Sequence, residues 1–292
     1  MKNKKITFIG GGNMAASLIS GLLDNGFASE DLHVADIDSN ASACQFPVRV
    51  YTDNQQAITG TDVVVLAVKP QILPKVCQQL QSYLQSQKVE NLPVFISIAA
   101  GVRLAELSNW LGVEQLPLIR VMPNTPALVQ SGASALFAND KTNANQRDIA
   151  ENILRSVGLT VWLQQESLLD TVTAISGSGP AYFFRIMEIM TKVGTDLGLP
   201  ADISRLLTLQ TAFGAAKMAI ESKEEVGILR QRVTSKGGTT EQALNVFNQQ
   251  GLSDIFTKAL TAAHDRSIEL ATELAQQHNQ TPVDKRLNKN KS

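Results

Sequence analysis

Between residues 5 and 162, short apolar runs alternate with stretches in which apolar residues recur every three or four positions. Ile6-Thr7-Phe8-Ile9, Leu32-His33-Val34-Ala35 and Val48-Arg49-Val50-Tyr51 predict strands, as do Val94–Ile98, Leu118–Val121 and Leu159–Trp162. Val63–Val68 is apolar at every position, the pattern of a parallel strand covered on both faces. Between them, Asn13–Leu23, with Met14, Leu18 and Leu22 on one face, and Ile72–Leu84 predict helices. Strands alternating with helices imply right-handed crossovers, and so an α/β, doubly wound sheet.

The texture changes after Glu166. Helical patterns follow one another over 181–197, 203–221, 240–249 and 254–277, with no strand-like alternation. The chain therefore divides into a sheet domain (1–163), an all-α domain (164–280) and a polar, lysine-rich tail (281–292) expected to be disordered. Small residues between Leu206 and Ala219 permit close helix approach, and the apolar content exceeds what a lone bundle of this size needs. A subunit interface is expected there.

A length of 292 residues agrees with two domains, and 43% hydrophobic residues suffice for a sizeable core. Twenty-six Lys and Arg against 27 Asp and Glu leave no positive excess for neutralising phosphates, which argues against a nucleic-acid partner. No apolar run approaches the ~18 residues of a membrane span. Met1–Lys5 leads straight into a strand without the apolar core of a signal peptide, so a cytoplasmic location is expected. Cys44 and Cys77 form no disulfide framework, and His33, His264 and His278 show no metal-ligand spacing, so no metal is expected.

Chemistry enters at Gly10-Gly11-Gly12-Asn13-Met14-Ala15, a G-x-G-x-x-A string between the first strand and the first helix. Gly10 admits the tight turn, Gly12 lets a pyrophosphate approach the backbone, and Ala15 lets the helix lie close to the sheet. With Asp36 ending the second strand, the pattern is that of a Rossmann dinucleotide site. A carboxylate at Asp36 accepts from ribose hydroxyls and repels a 2′-phosphate, although it could also cap a turn with Asp38. The choice between NADPH and NADH stays open. Ala67-Val68-Lys69-Pro70 closes the fourth strand at the edge where ligands bind.

Three further segments are rich in glycine and small polar residues: 122–126, 176–181 and 234–240. The last two each open a helix. Uncovered helix starts attract anions, and a small carboxylate is a natural guest; ordinary N-capping is the alternative.

Taken together, FIGGGNMAASLISGL from Phe8, AVKP at 67–70, SIAAGV at 97–102, VMPNTPALV at 121–129, SGSGPAY at 176–182 and GGTTEQAL at 237–244 resemble the pyrroline-5-carboxylate reductases. The resemblance implies a Rossmann domain followed by a helical domain that forms an intertwined homodimer, in many members assembled into a decamer. It implies reduction of 1-pyrroline-5-carboxylate to L-proline with NADPH or NADH. Carried over position by position, Ile9, Gly10, Gly11, Gly12, Asn13 and Met14 hold the pyrophosphate, and Asp36 lies beside the ribose. Asn54, Ala67, Val68, Lys69 and Pro70 line the cofactor groove, and Ala100 approaches the nicotinamide. Ser176, Ser178, Gly237, Gly238, Thr239 and Thr240 match substrate positions. Thr240 is the candidate partner of the ring nitrogen, and Glu166 a catalytic candidate that orients water or favours the iminium.

The chain departs from the family pattern in three places. Lys236 stands where many members have proline, Glu225-Val226-Gly227 replaces a His-Pro-Gly, and Asp36 replaces a small hydroxyl residue. A β-hydroxyacid dehydrogenase would need a lysine acid/base on the helix after the glycine-rich segment, where this chain has none before Lys192.

Overall fold

The computed structural model describes residues 4–279; the polar tail expected from 281 lies outside them. One mixed eight-stranded sheet runs in the order β3-β2-β1-β4-β5-β6-β7-β8. Its strands are β1 (Ile6–Ile9), β2 (Leu32–Ala35), β3 (Arg49–Tyr51), β4 (Val63–Leu66), β5 (Val94–Ser97), β6 (Leu118–Met122), β7 (Gly132–Ala138) and β8 (Gly158–Trp162). Helices α1 (Asn13–Asp24), α2 (Asn54–Ile58), α3 (Leu73–Ser86), α4 (Leu104–Leu111) and α5 (Ala144–Arg155) connect them.

The period of two in a strand explains the layers. Val63 and Val65 face a core shared with Phe8, Leu18, Ile149 and Ile153, while Val64 and Leu66 face the opposite core with Leu73, Leu80, Phe95 and Leu107. β4 is thus buried on both sides, as its unbroken apolar run requires. Truncating a fully buried side chain here, such as Phe8, should cost about 3–5 kcal/mol through lost transfer energy and the cavity left behind.

β7 departs from the sequence expectation. Its GASALFA sequence carries few β-branched residues, yet it pairs antiparallel with β6, Val121 opposite Leu136, and parallel with β8. The sheet is therefore mixed, with two reversed strands, β7 and β8, added at one edge of the parallel doubly wound plan.

Six more helices follow among the described residues, with a wide π-turn among them. α6 (Leu168–Val172) passes into the π-turn Thr173–Gly177, and then come α7 (Gly179–Asp196), α8 (Ala201–Glu221), α9 (Val226–Arg232), α10 (Thr239–Gln249) and α11 (Leu252–Asn279). By contact, residues up to Gly177 and those from Ala263 onward form one unit, and Ser178–Ala262 the other. The sequence reading placed the division after residue 163. It falls later because Leu169 and Ala174 are buried in the first unit and Ser267 Oγ of α11 donates to the buried Asp170 Oδ1 at 2.7 Å.

Within Ser178–Ala262, α7 and α8 form a close antiparallel pair in which Ser204 Oγ donates to the Thr191 carbonyl at 2.8 Å. Among these described residues, the buried side chains are the hydroxyls Ser204 and Thr208, and no apolar side chain is buried. Phe183 is 63% exposed, Leu206 63% and Phe213 62%.

Candidate active site

The carboxyl edge of the sheet gathers the sequence-predicted cofactor residues. Ile9 ends β1 and Gly10–Met14 follow it, Asp36 follows β2, Asn54 follows β3, Ala67–Pro70 follow β4 and Ala100 follows β5. Gly10 has φ +99°, and a Cβ there would lie 2.8 Å from the Ala67 carbonyl oxygen, so only glycine fits the turn. Around Gly12 the space is open, which leaves a lane for an approaching pyrophosphate.

α1 begins beyond that lane with no side-chain cap and no acidic residue in its first turn. The N–H groups of Asn13 and Met14 have no intrahelical acceptor, so they and the helix dipole fit a phosphate. Gly11 also braces the turn, its N–H donating to Asp36 Oδ2 at 2.6 Å. Asp36 Oδ1 accepts from the N–H of Asp38 at 2.9 Å, and the carboxylate is held from both sides with lone pairs still open to a ribose hydroxyl. Asn54 directs its amide to Gln79 Oε1 at 2.8 Å, while Lys69 and Ala100 are exposed.

Glu166 lies on the loop before α6. Its Oε1 accepts from Arg120 Nη1 at 3.1 Å and from the N–H of Leu104 at 2.8 Å. Arg120 projects from the apolar strand β6 and is 3% exposed, so the carboxylate supplies charge to a buried guanidinium and a cap to α4. Downstream, Ser176 Oγ donates to the Val172 carbonyl at 3.1 Å, so its proton is committed within the helix. A Cβ on Gly177 would come within 2.4 Å of Met122 Cε, an approach only glycine permits without displacing that side chain. Asn124 also reaches this turn, donating from Nδ2 to the Ser176 carbonyl at 3.1 Å.

In the helical unit, Ser178 precedes α7 and Gly238 precedes α10, and neither start has a side-chain cap. At the second, the glycines' own N–H groups are used. Gly237 donates to Glu241 Oε2 at 2.7 Å and Gly238 to the Ser235 carbonyl at 3.0 Å. Both N–H groups are thereby engaged within the loop and the first turn of α10. Those of Thr239 and Thr240, which helix geometry leaves without acceptors, remain for a carboxylate. The Thr240 side chain is half-buried, and Lys236 is exposed beside it in sequence.

Sequence reasoning missed Arg120, Asn124 and Glu241. A lone arginine inside the apolar strand LIRVM is a signal that a buried counter-charge must exist. No comparable signal marks Asn124, whose partner is 52 residues away.

A Rossmann-type sheet with an open glycine turn, followed by an all-helical unit whose helix starts offer hydroxyls and amides, defines a nicotinamide-dinucleotide-dependent oxidoreductase of the two-domain kind. Residues 166–270 match the family described as pyrroline-5-carboxylate reductase dimerisation, and residues 5–101 match NADP oxidoreductase coenzyme F420-dependent. The pyrroline-5-carboxylate reductase of Pseudomonas aeruginosa is 46% identical over 94% of this chain and 100% of its own length. The solved pyrroline-5-carboxylate reductase of Coxiella burnetii superposes with a TM-score of 0.84 at 42% identity, over 92% of this chain and 99% of that one. The solved pyrroline carboxylate reductase of Plasmodium falciparum, with NADP bound, gives 0.82 at 29% identity over 93% and 99%. The chain belongs to the pyrroline-5-carboxylate reductase family.

Proposed function

We propose that this chain reduces the C=N bond of 1-pyrroline-5-carboxylate to give L-proline, with a nicotinamide dinucleotide as hydride donor. Family membership supports the reading, and so does the character of the two helix starts in the helical unit. They present hydroxyls and backbone amides, and among the described residues of these two starts there is no histidine and a single lysine, the exposed Lys236 before α10.

That poverty suits the reaction. A cyclic imine protonated on nitrogen is already an electrophile, so hydride adds to the imine carbon (C2 of the pyrroline, C5 of the proline formed) while nitrogen keeps the proton as the amine of proline. The bound dinucleotide supplies that hydride from nicotinamide C4 and is left oxidised. What this chain must contribute is orientation. The N–H groups of Thr239 and Thr240 and the start of α7 hold the carboxylate, and the Thr240 hydroxyl bonds the ring nitrogen. Glu166, tied through Oε1 to Arg120 and Leu104, holds the sheet edge and α4 in place.

For the cofactor, Gly12, Asn13 and Met14 take the pyrophosphate and Ala67–Pro70 with Ala100 flank the nicotinamide ribose and ring. The braced Asp36 carboxylate, with Asp38 beside it, favours NADH because a 2′-phosphate would meet negative charge. The working species is a homodimer joined through the helical unit, a reading supported by its many exposed apolar side chains, Phe183, Leu206 and Phe213 among them. Assembly of dimers into a decamer is carried over from the resemblance alone. Free thiols at Cys44 and Cys77 support a cytoplasmic setting.

The deciding experiment is a steady-state assay of cofactor oxidation with 1-pyrroline-5-carboxylate, NADH and NADPH being supplied separately and L-proline quantified as product. Cofactor oxidation without equimolar proline would refute the assignment.

A further inference from the structure

We propose that Asn124 is a positioning residue for the reduction, acting through the π-turn from which the Ser176–Gly179 segment leaves. The proposal rests on the reading that this segment helps hold the substrate carboxylate.

The argument begins with Pro180. In a regular helix the carbonyl of Ser176 would accept from the N–H of residue 180, and proline has none. The turn Thr173–Gly177 is already widened to π geometry, a form met mostly as single turns at functional sites. Its Ser176 carbonyl is thus orphaned by the sequence itself, in a place where the backbone is half-buried. Asn124 supplies the missing donor, Nδ2 lying 3.1 Å from that oxygen. Its other atom is equally fixed, because Oδ1 accepts from the N–H of Ala133 in β7 at 2.8 Å. A carboxamide between a carbonyl on one side and an N–H on the other has a single satisfying orientation.

Asn124 therefore ties the sheet to the carbonyl that Pro180 leaves without its helical donor. Met122, two residues earlier, packs against Gly177, so the same segment moulds the turn twice. Released from Asn124, the Ser176 peptide could turn its oxygen toward the start of α7 and set an acceptor against an anion. Held as it is, the peptide planes keep the helical sense, with N–H groups directed toward the start of the helix where a carboxylate is attracted.

Asn124→Asp isolates the bond. The variant retains the acceptor for Ala133 and, when ionised, replaces the donor by a second acceptor facing the Ser176 carbonyl. At neutral pH the kcat/KM for 1-pyrroline-5-carboxylate should fall roughly 10–100-fold, carried mainly by KM, while the cofactor Kd stays within about twofold. The ratio of variant to wild type should recover as pH falls, because a protonated carboxyl again donates to the carbonyl. Asn124→Ala should show the loss without the recovery. A cofactor Kd that worsens by the same factor, or a variant-to-wild-type ratio flat in pH, overturns the proposal. Ser178→Ala separates the two ideas. If it raises KM while Asn124→Asp does not, the proposal alone fails; if neither moves KM, the substrate reading of the segment falls and takes the proposal with it.

Discussion

Oε1 of Glu166 sits 3.1 Å from Nη1 of Arg120 and also closes the first turn of α4 through the N–H of Leu104. One carboxylate thus joins β6, α4 and the loop into α6. Because Arg120 is 3% exposed, removing its partner strands a buried charge. Glu166→Ala should lose about 3–5 kcal/mol in denaturant unfolding. Glu166→Gln keeps an acceptor and should lose less, with the pH profile of kcat unchanged. A shifted profile in Glu166→Gln would return Glu166 to the chemistry.

Thr240 is assigned the hydrogen bond to the ring nitrogen. Its replacement by alanine should lower kcat/KM roughly 10–100-fold, the scale of one hydrogen bond to a charged partner. Replacement by serine, which keeps the hydroxyl, should restore most of it. Single-turnover measurements would locate the loss in the hydride step.

Asp36 braces Gly11 and faces the place of the adenosine ribose. Asp36→Ser should raise kcat/KM for NADPH relative to NADH, because the repulsion of a 2′-phosphate is gone. It should also weaken both cofactors somewhat, since the Gly11 N–H loses a 2.6 Å acceptor. An unchanged NADPH to NADH ratio would remove Asp36 from cofactor choice.

Leu206 and Phe213 lie exposed on α8. A glutamate at Phe213 would place a charge in the interface assigned to this surface, where burial without a partner is costly. Sedimentation velocity should show Phe213→Glu as a lighter species than wild type, with activity lost in step. An unaltered sedimentation coefficient would place the interface elsewhere.

His33 is 5% exposed on β2, edge-on to Tyr51, and its Nδ1 has no partner. Burial, with smaller contributions from the nearby Arg49 and Lys5 charges, lowers its pKa below the ordinary 6.5. The folded state therefore holds His33 neutral. Its contribution is complete above about 6.5 and declines as pH falls from there toward the lowered value, where the unfolded chain binds the extra proton. Replacement by leucine should flatten this part of the stability–pH curve.

Much of this was legible in advance, for reasons that differ by element. β1 and β4 announce themselves because strands buried on both faces need unbroken apolar runs, and the glycine turn because its backbone excludes side chains. β7 was not read because GASALFA lacks β-branched residues, its place being set by pairing with β6 and β8. The short helices α2, α4 and α9 offer too few turns for a periodic pattern to emerge. The cofactor residues follow from strand ends, a local property. The bond from Asn124 to Ser176 and the pairing of Glu166 with Arg120 join segments far apart in the chain, and only the folded backbone brings them together.

The segment from Ser178 to Ala262 has consequences for how the protein is made. During synthesis α7 to α10 emerge before the α11 residues that complete the first unit, and their own unit buries none of their apolar side chains. In the homodimer proposed above, a newborn copy stays half finished until a sibling covers those helices. Chaperones and proteases have that interval in which to act, so scarcity of the polypeptide would depress the yield of finished enzyme more than proportionally.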